Sequence, residues 1–307
     1  MRTPLLCGLL FALLACSGDP APGPTPVPEN WAHDTGSTFF LQMADTQFGM
    51  YSKPAVLSYL GWRFREGSFE RETENMEKAI AHANRLRPSF VVICGDLVNT
   101  PGHPEQVAEF QRIAAGIDAS IPLHLVAGNH DVENEPTPET LASYRETFGR
   151  DAYAFRHGEV YGIVLNSQLI HSPAGAADEA ATQLAWLRAE LARAKASGAA
   201  QILVFQHHPY FTKEPDEPDG YFNIPLERRG FYLELFREAG VRAVFAGHYH
   251  RNAHGFDGDL EMVTTGPVGK PLGDDPSGFR VVRVGPDGLD HAYVGLDTAP
   301  ERLGPAR

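Results

Sequence analysis

The segment Ala243-Val244-Phe245-Ala246-Gly247-His248-Tyr249-His250 joins four apolar residues to a glycine and a His-x-His pair. The apolar part has the character of a strand, and the polar part has the chemistry of a ligand. The arrangement recurs four times upstream. The run 39–44 leads into Asp45-Thr46-Gln47, and 90–94 leads into Gly95-Asp96. The run 123–127 leads into Gly128-Asn129-His130-Asp131, and 202–205 leads into Gln206-His207-His208. Continuous apolar runs of this length predict strands buried on both faces. In open α/β sheets ligands gather outside the carboxyl ends of strands. Five such loops therefore bring their polar side chains to one edge.

Outward from these runs, 161–165 and 280–284 read as two further strands. Helical periodicity marks 69–86, 105–117, 138–148, 178–196 and 226–239. In the first of these, Phe69, Met76, Ile80 and Ala83 share one face, and acidic residues fill the first turn, as the helix dipole prefers. Strands alternating with helices predict an α/β fold. No repeat or second linker interrupts the chain after residue 35, so 36–300 reads as one catalytic domain and 301–307 as a tail.

Asp, Asn and His together suit divalent transition ions, because imidazole and carboxylate oxygen both serve as ligands for them. Gly95, Gly128 and Gly247 are expected to allow tight turns directly after a strand. Cys94 ends an apolar run and reads as a buried, inert thiol.

The ordered set Asp45-x-Gln47, Gly95-Asp96, Gly128-Asn129-His130-Asp131, His207 and Gly247-His248-x-His250 resembles the five blocks of the calcineurin-like metallophosphoesterase superfamily. The stretches 43–49, 165–168 and 247–252 resemble most its small single-domain branch, described in animals as a calcineurin-like phosphoesterase-domain-containing serine/threonine phosphatase. The resemblance implies a four-layer α/β/β/α sandwich, with two mixed sheets flanked by helices. It implies a dinuclear metal site, with Asp45, Gln47, Asp96 and His250 around one divalent ion and Asp96, Asn129, His207 and His248 around the other. Mn, Fe or Zn would suit these ligands. A hydroxide shared by the ions would attack phosphorus in a phosphate monoester. His130 would protonate the leaving oxygen, and Asp131 would orient its ring. Gln47 departs from the superfamily, which usually has His there, and a neutral amide oxygen predicts a more exchangeable ion. Phosphodiesters of nucleotides or lipid head groups are the alternative substrates, and a non-catalytic metal-binding lipoprotein is the alternative role. Asn99, three residues after Asp96, stands where purple acid phosphatases carry an iron-binding Tyr. The Asp-Arg-Gly continuation of the large protein phosphatases is absent.

The N-terminus has a different character. Met1-Arg2-Thr3 precedes an apolar run over 5–14, shorter than the roughly 20 residues of a membrane span. It ends in Leu13-Leu14-Ala15-Cys16, which resembles a lipobox. Residues 1–15 thus read as a lipoprotein signal peptide and 16–35 as a lipidated Cys16 with a Pro-rich tether reaching about 60 Å. The expectation is an exported, membrane-anchored bacterial lipoprotein, periplasmic or at the cell surface, and monomeric. A formal charge of −13 argues against nucleic acid as a partner. Residues 50–68, with Trp62 and Phe64, read as a lid-like insertion. Residues 212–223 read as a flexible rim loop. His208 is expected to turn away from its neighbour His207.

Overall fold

Along β1 (Thr38–Met43), Phe39, Leu41 and Met43 pack to one side, while Phe40 and the following Ala44 pack to the other. Successive side chains of a strand point to opposite faces, so apolar residues at consecutive positions require cover on both. The same division holds along β2 (Val91–Cys94), where Val91 and Ile93 oppose Val92 and Cys94. In β6 (Gln201–Phe205), Ile202 and Val204 oppose Leu203 and Phe205. The computed structural model describes residues 38–51, 69–285 and 288–303. The expected signal and tether, and the lid-like insertion from residue 52 on, with Trp62 and Phe64, lie outside the described residues.

The remaining strands are β3 (Leu123–Val126), β4 (Tyr153–His157), β5 (Val160–Val164), β7 (Val241–Ala246), β8 (Ala253–Asp257), β9 (Leu260–Thr264), β10 (Gly278–Gly285) and β11 (Gly288–Gly295). They form a five-stranded sheet, β11-β10-β1-β2-β3, and a six-stranded sheet, β4-β5-β6-β7-β9-β8. Both are mixed. β1, β2 and β3 run parallel, β10 is antiparallel to both β1 and β11, and parallel β5, β6, β7 and β9 carry antiparallel edges β4 and β8.

The helices are α1 (Glu70–Leu86), α2 (Pro104–Ala114), α3 (Asn129–Val132), α4 (Pro138–Phe148), α5 (Gln168–His171), α6 (Ala177–Ala196) and α7 (Leu226–Ala239). Met76 and Ile80 of α1 and Phe110 of α2 cover the outer face of the first sheet. Leu187 of α6 and Leu233 and Phe236 of α7 cover the outer face of the second. Between the sheets, the Phe40 ring stacks on Phe90 at 4.5 Å and meets Phe205 and Phe245 edge-on at 5.7 and 5.6 Å. This is the expected four-layer α/β/β/α sandwich. Cys94 lies in its middle layer, where burial pushes the thiol pKa far up, as an inert thiol requires.

Four strands were not legible as apolar runs. β4 and β8 are edge strands with polar residues, and β9 and β11 carry Glu, Asp or His. Each pairs with a hairpin partner, so the ladder rather than composition defines them. The block Asn129-His130-Asp131 is also no plain loop, because it forms the single turn α3.

Candidate metal centre

The loops after β1, β2 and β3 come from one sheet, and those after β6 and β7 come from the other. The site therefore straddles the seam between the sheets. The side chains of Asp45, Asp96, Asn129, His207, His248 and His250 converge there, with Gln47, His130 and Asp131 on the same strand-end segments. Asp45, Asp96 and His250 offer ligand atoms within 4.8 Å of one another, and Asp96, His207 and His248 do the same. Asp96 belongs to both groups. His250 Nε2 lies 3.4 Å from Asp45 Oδ1, and His207 Nε2 lies 3.2 Å from Asp96 Oδ1. Asn129 Oδ1 is 3.0 Å from the same His207 nitrogen.

Each imidazole is oriented by a backbone carbonyl. His207 Nδ1–H donates to Cys94 O at 2.8 Å, His248 Nε2–H to Tyr221 O at 3.1 Å, and His250 Nδ1–H to Lys270 O at 2.6 Å. That leaves His207 Nε2, His248 Nδ1 and His250 Nε2 as lone-pair donors. Metal-binding histidines are commonly fixed in this way, with one ring N–H on an outer acceptor. Asn129 is fixed likewise, since its Nδ2 donates to Asn134 Oδ1 at 3.2 Å and its Oδ1 faces His207. Gln168 Nε2 in turn donates to the Asn134 carbonyl.

Gln47 donates from Nε2 to Asn99 Oδ1 at 3.3 Å, and its buried Oε1 has no hydrogen-bond partner among the described residues. A buried amide oxygen without a partner costs about 1–3 kcal/mol. A cation would satisfy it. Where His207 Nε2, Asn129 Oδ1 and Asp96 Oδ1 converge, either a proton or a metal ion must separate the lone pairs. Without the ion, burial alone would lower the His207 pKa, but Asp96, Asp45 and the Cys94 carbonyl together outweigh burial and raise it to about 9. The His248 pKa falls to about 3 through burial and the charge on His207. The donor set thus fits divalent cations on both sides of Asp96.

His130 is half-buried, and its Nδ1–H donates to the Asn99 carbonyl at 2.8 Å. This differs from the expectation that Asp131 orients its ring. Asp131 is the third residue of the α3 turn, and its carboxylate turns back onto the N–H groups of Gly128, Leu97 and Val98 at 2.8 to 3.2 Å. It ties the β2 loop to the β3 loop. Burial, then the Asp96 charge, pushes its pKa up to about 7 against those donors.

The backbone at the site is strained. Among the described non-glycine residues, positive φ occurs at Asp45 (51°), Gln47 (38°), Asp96 (51°), Arg87, Glu133, His248 (65°) and His250 (53°). Five of these seven are candidate ligands. Such conformations cost of order 1–3 kcal/mol each and persist only where the surroundings impose them. Gly95, at φ 82°, does need the left-handed region. Gly128 and Gly247 serve close approach instead. A Cβ on Gly128 would meet Asp96 Oδ1 at 2.2 Å, and one on Gly247 would meet Asp45 Oδ2 at 2.6 Å.

Several contributors were not legible in the sequence. Asn99, Asn134 and Tyr221 lie outside the strand-end pattern. His208 is buried beside the ligands rather than turned away, with its ring 4.1 Å from that of His248 and its Nδ1 3.0 Å from Ser167 Oγ. The quoted stretch Leu165-Asn166-Ser167-Gln168 was the available signal, because Ser167 and Gln168 both support site residues. The loop 212–223 does sit at the rim, but it is not loosely held. Glu217 accepts hydrogen bonds from Thr212 N, Lys213 N and Asn223 Nδ2.

The calcineurin-like phosphoesterase family profile matches residues 40–252. The chain is 38% identical over 279 residues to the serine/threonine-protein phosphatase CPPED1 of Danio rerio, covering 87% of this chain and 88% of that protein. It is 37% identical over 279 residues to the Homo sapiens protein of the same name, covering 87% and 86%. Among solved structures, a dimetal phosphatase from Danio rerio aligns with a TM-score of 0.56 at 20% identity, covering 84% of this chain and 99% of that one. The purple acid phosphatase PPD1 of yellow lupin aligns at 0.62 and 14% identity, covering 89% and 55%. The chain belongs to the calcineurin-like phosphoesterase family. Within that family it falls with the CPPED1 phosphatases, and it is a metal-dependent phosphoric ester hydrolase.

Proposed function

We propose that the protein is a phosphomonoesterase using two divalent ions. One observation carries the two-ion reading: two donor groups share Asp96, at the seam where five loops meet; the likeness to the CPPED1 phosphatases supports the monoester. Asp45, Gln47, Asp96 and His250 would hold one ion, and Asp96, Asn129, His207 and His248 the other. Mn, Fe and Zn suit this mixture of imidazole and oxygen donors. When bound, the ions supply Lewis-acid neutralisation of the phosphoryl oxygens and lower the pKa of the attacking water. The protein residues do the rest. The carbonyls of Cys94, Tyr221 and Lys270 hold the rings in the ligating tautomer, and Asn134 turns the Asn129 oxygen inward. His130, with Nδ1–H engaged by Asn99, is left with Nε2 to deliver a proton to the leaving oxygen. Asp131 acts through the loops and not on the proton.

The test is hydrolysis of an aryl phosphate and an aryl phosphodiester by protein loaded with Mn²⁺, alongside a metal count. The expected result is two ions per chain and turnover of the monoester. Preferential turnover of the diester would reassign the substrate, and no turnover with metal bound would favour a binding protein.

The lipobox-like Leu13-Leu14-Ala15-Cys16 supports export and anchoring through a lipid on Cys16, with residues 16–35 as a tether and 36–300 as a monomeric catalytic domain. Cys16→Ser should move the protein from the membrane to the soluble fraction in a bacterial host. Retention in the membrane would overturn the anchor, and a dimer by light scattering would overturn the monomer.

A further inference from the structure

Residues 212–223 follow the β6 loop and reach the metal centre at Tyr221, braced from inside. Glu217 gathers Thr212, Lys213 and Asn223, and fully buried Arg229 of α7 donates to the carbonyls of Pro215 and Glu217 at 3.0 and 2.7 Å. Tyr221 is fixed twice. Its carbonyl accepts the His248 Nε2–H, and its ring lies 5.0 Å from that imidazole. Phe222 meets the Tyr221 ring edge-on at 5.1 Å and packs against Tyr249, also at 5.1 Å. The Tyr221 ring therefore stands at the His248 side of the centre.

Despite these anchors, Tyr221 keeps 57% of its surface open. A ring that merely sealed His248 from water would have no need of that exposure. An aromatic face that is both rigid and open is suited to stacking, because little conformational freedom is lost when a second ring covers it. A leaving group directed to the His248 side of the metal pair would meet this face.

We propose that Tyr221, backed by Phe222, forms the wall on which the substrate's leaving group stacks, so that the enzyme prefers phosphomonoesters of flat aromatic alcohols. The proposal rests on the phosphomonoesterase reading. The reaction needs only water, since the phosphorus–aryl oxygen bond breaks, a phosphorus–oxygen bond to water forms, and the departing oxygen takes a proton.

The experiment compares metal-loaded wild-type protein with Tyr221→Leu and Tyr221→Phe. It measures kcat/KM for phenyl phosphate and ethyl phosphate, together with calorimetric binding of phenylphosphonate and methylphosphonate. The difference in intrinsic reactivity of the two esters cancels when their ratio is compared between variants. The aryl-to-alkyl ratio should fall about three- to tenfold in Tyr221→Leu and hold in Tyr221→Phe, in turnover and in binding alike. An unchanged ratio in Tyr221→Leu at wild-type metal content would overturn the proposal. So would a loss of metal that lowers both esters equally, which would make the ring only a seal. Absence of turnover with an aryl-phosphonate preference that disappears in Tyr221→Leu would sink the phosphatase reading and still support the wall.

Discussion

At the level of single residues, two side chains carry separable predictions. His130 is not among the five residues of the two donor groups, and its ring is held by a carbonyl rather than by a carboxylate. Its replacement by Asn should lower kcat by roughly 10²–10⁴, the usual contribution of a general acid, with metal content unchanged. Elemental analysis beside steady-state kinetics checks this, and undiminished turnover would remove His130 from proton delivery. Gln47 tests the other side of the centre. Its orphaned Oε1 is a neutral oxygen where imidazole would bind a transition ion more strongly. Gln47→His should slow the loss of metal on dialysis, and equal loss from both proteins would count against direct ligation by Gln47.

Whole elements bind these residues to the fold, and they are unevenly legible in the sequence. Helices α4 and α7 fall at 138–148 and 226–239 as their periodicity predicts, because each buries one apolar stripe. The ends of β2, β6 and β7 were legible because strands buried on both faces are written as nearly unbroken apolar runs, whereas β1 carries Gln42 and half-buried β3 carries His124, and their polar ends marked them. The loop 212–223 was not, since Glu217, Arg229 and the Tyr221 carbonyl act through hydrogen bonds that leave no periodic trace. That bracing is testable. Glu217→Ala should release the carbonyl that orients His248 and weaken metal affinity about 10- to 100-fold, as loss of an outer partner commonly does. Metal titration of the variant measures it. The seam between β3 and β4 offers a pH prediction. His124 Nε2 lies 3.1 Å from His157 Nε2, and its ring stacks on Phe155 at 3.7 Å. Burial, then the charge on His157, lowers the His124 pKa to about 4. The unfolded chain, with an ordinary pKa near 6.5, therefore binds more protons between about pH 6.5 and 4, and stability falls as pH drops through that window. Because the ring is partly exposed, about 1 kcal/mol should be lost between pH 7 and 5. Denaturation of metal-free protein at both pH values should show this loss reduced in His124→Phe.

For the molecule as a whole, the centre is a joint between its two halves. Asp45, Asp96 and Asn129 come from one sheet and His207, His248 and His250 from the other. The aromatic layer of Phe40, Phe90, Phe205 and Phe245 holds the sheets together beneath it. At the upper edge, buried Asp45 and Asp96 face one another across the strained turns at 45, 47, 96, 248 and 250. Ions that bind both sets of loops would offset this strain and neutralise the carboxylates, and they bind only the folded chain. A ligand at about 1,000 times its dissociation constant adds about 4 kcal/mol to stability. In a domain of this size 1 kcal/mol shifts the melting temperature by about 2–4 °C. Chelation should therefore lower it by roughly 10 °C, and added Mn²⁺ should restore it. Because Asp96 belongs to both donor groups, Asp96→Asn should abolish most of the metal-dependent shift, whereas Gln47→Ala should remove only part. Equal melting temperatures with and without metal would show that the centre does not fasten the sheets. A shift that survives Asp96→Asn would place the stabilising ion elsewhere.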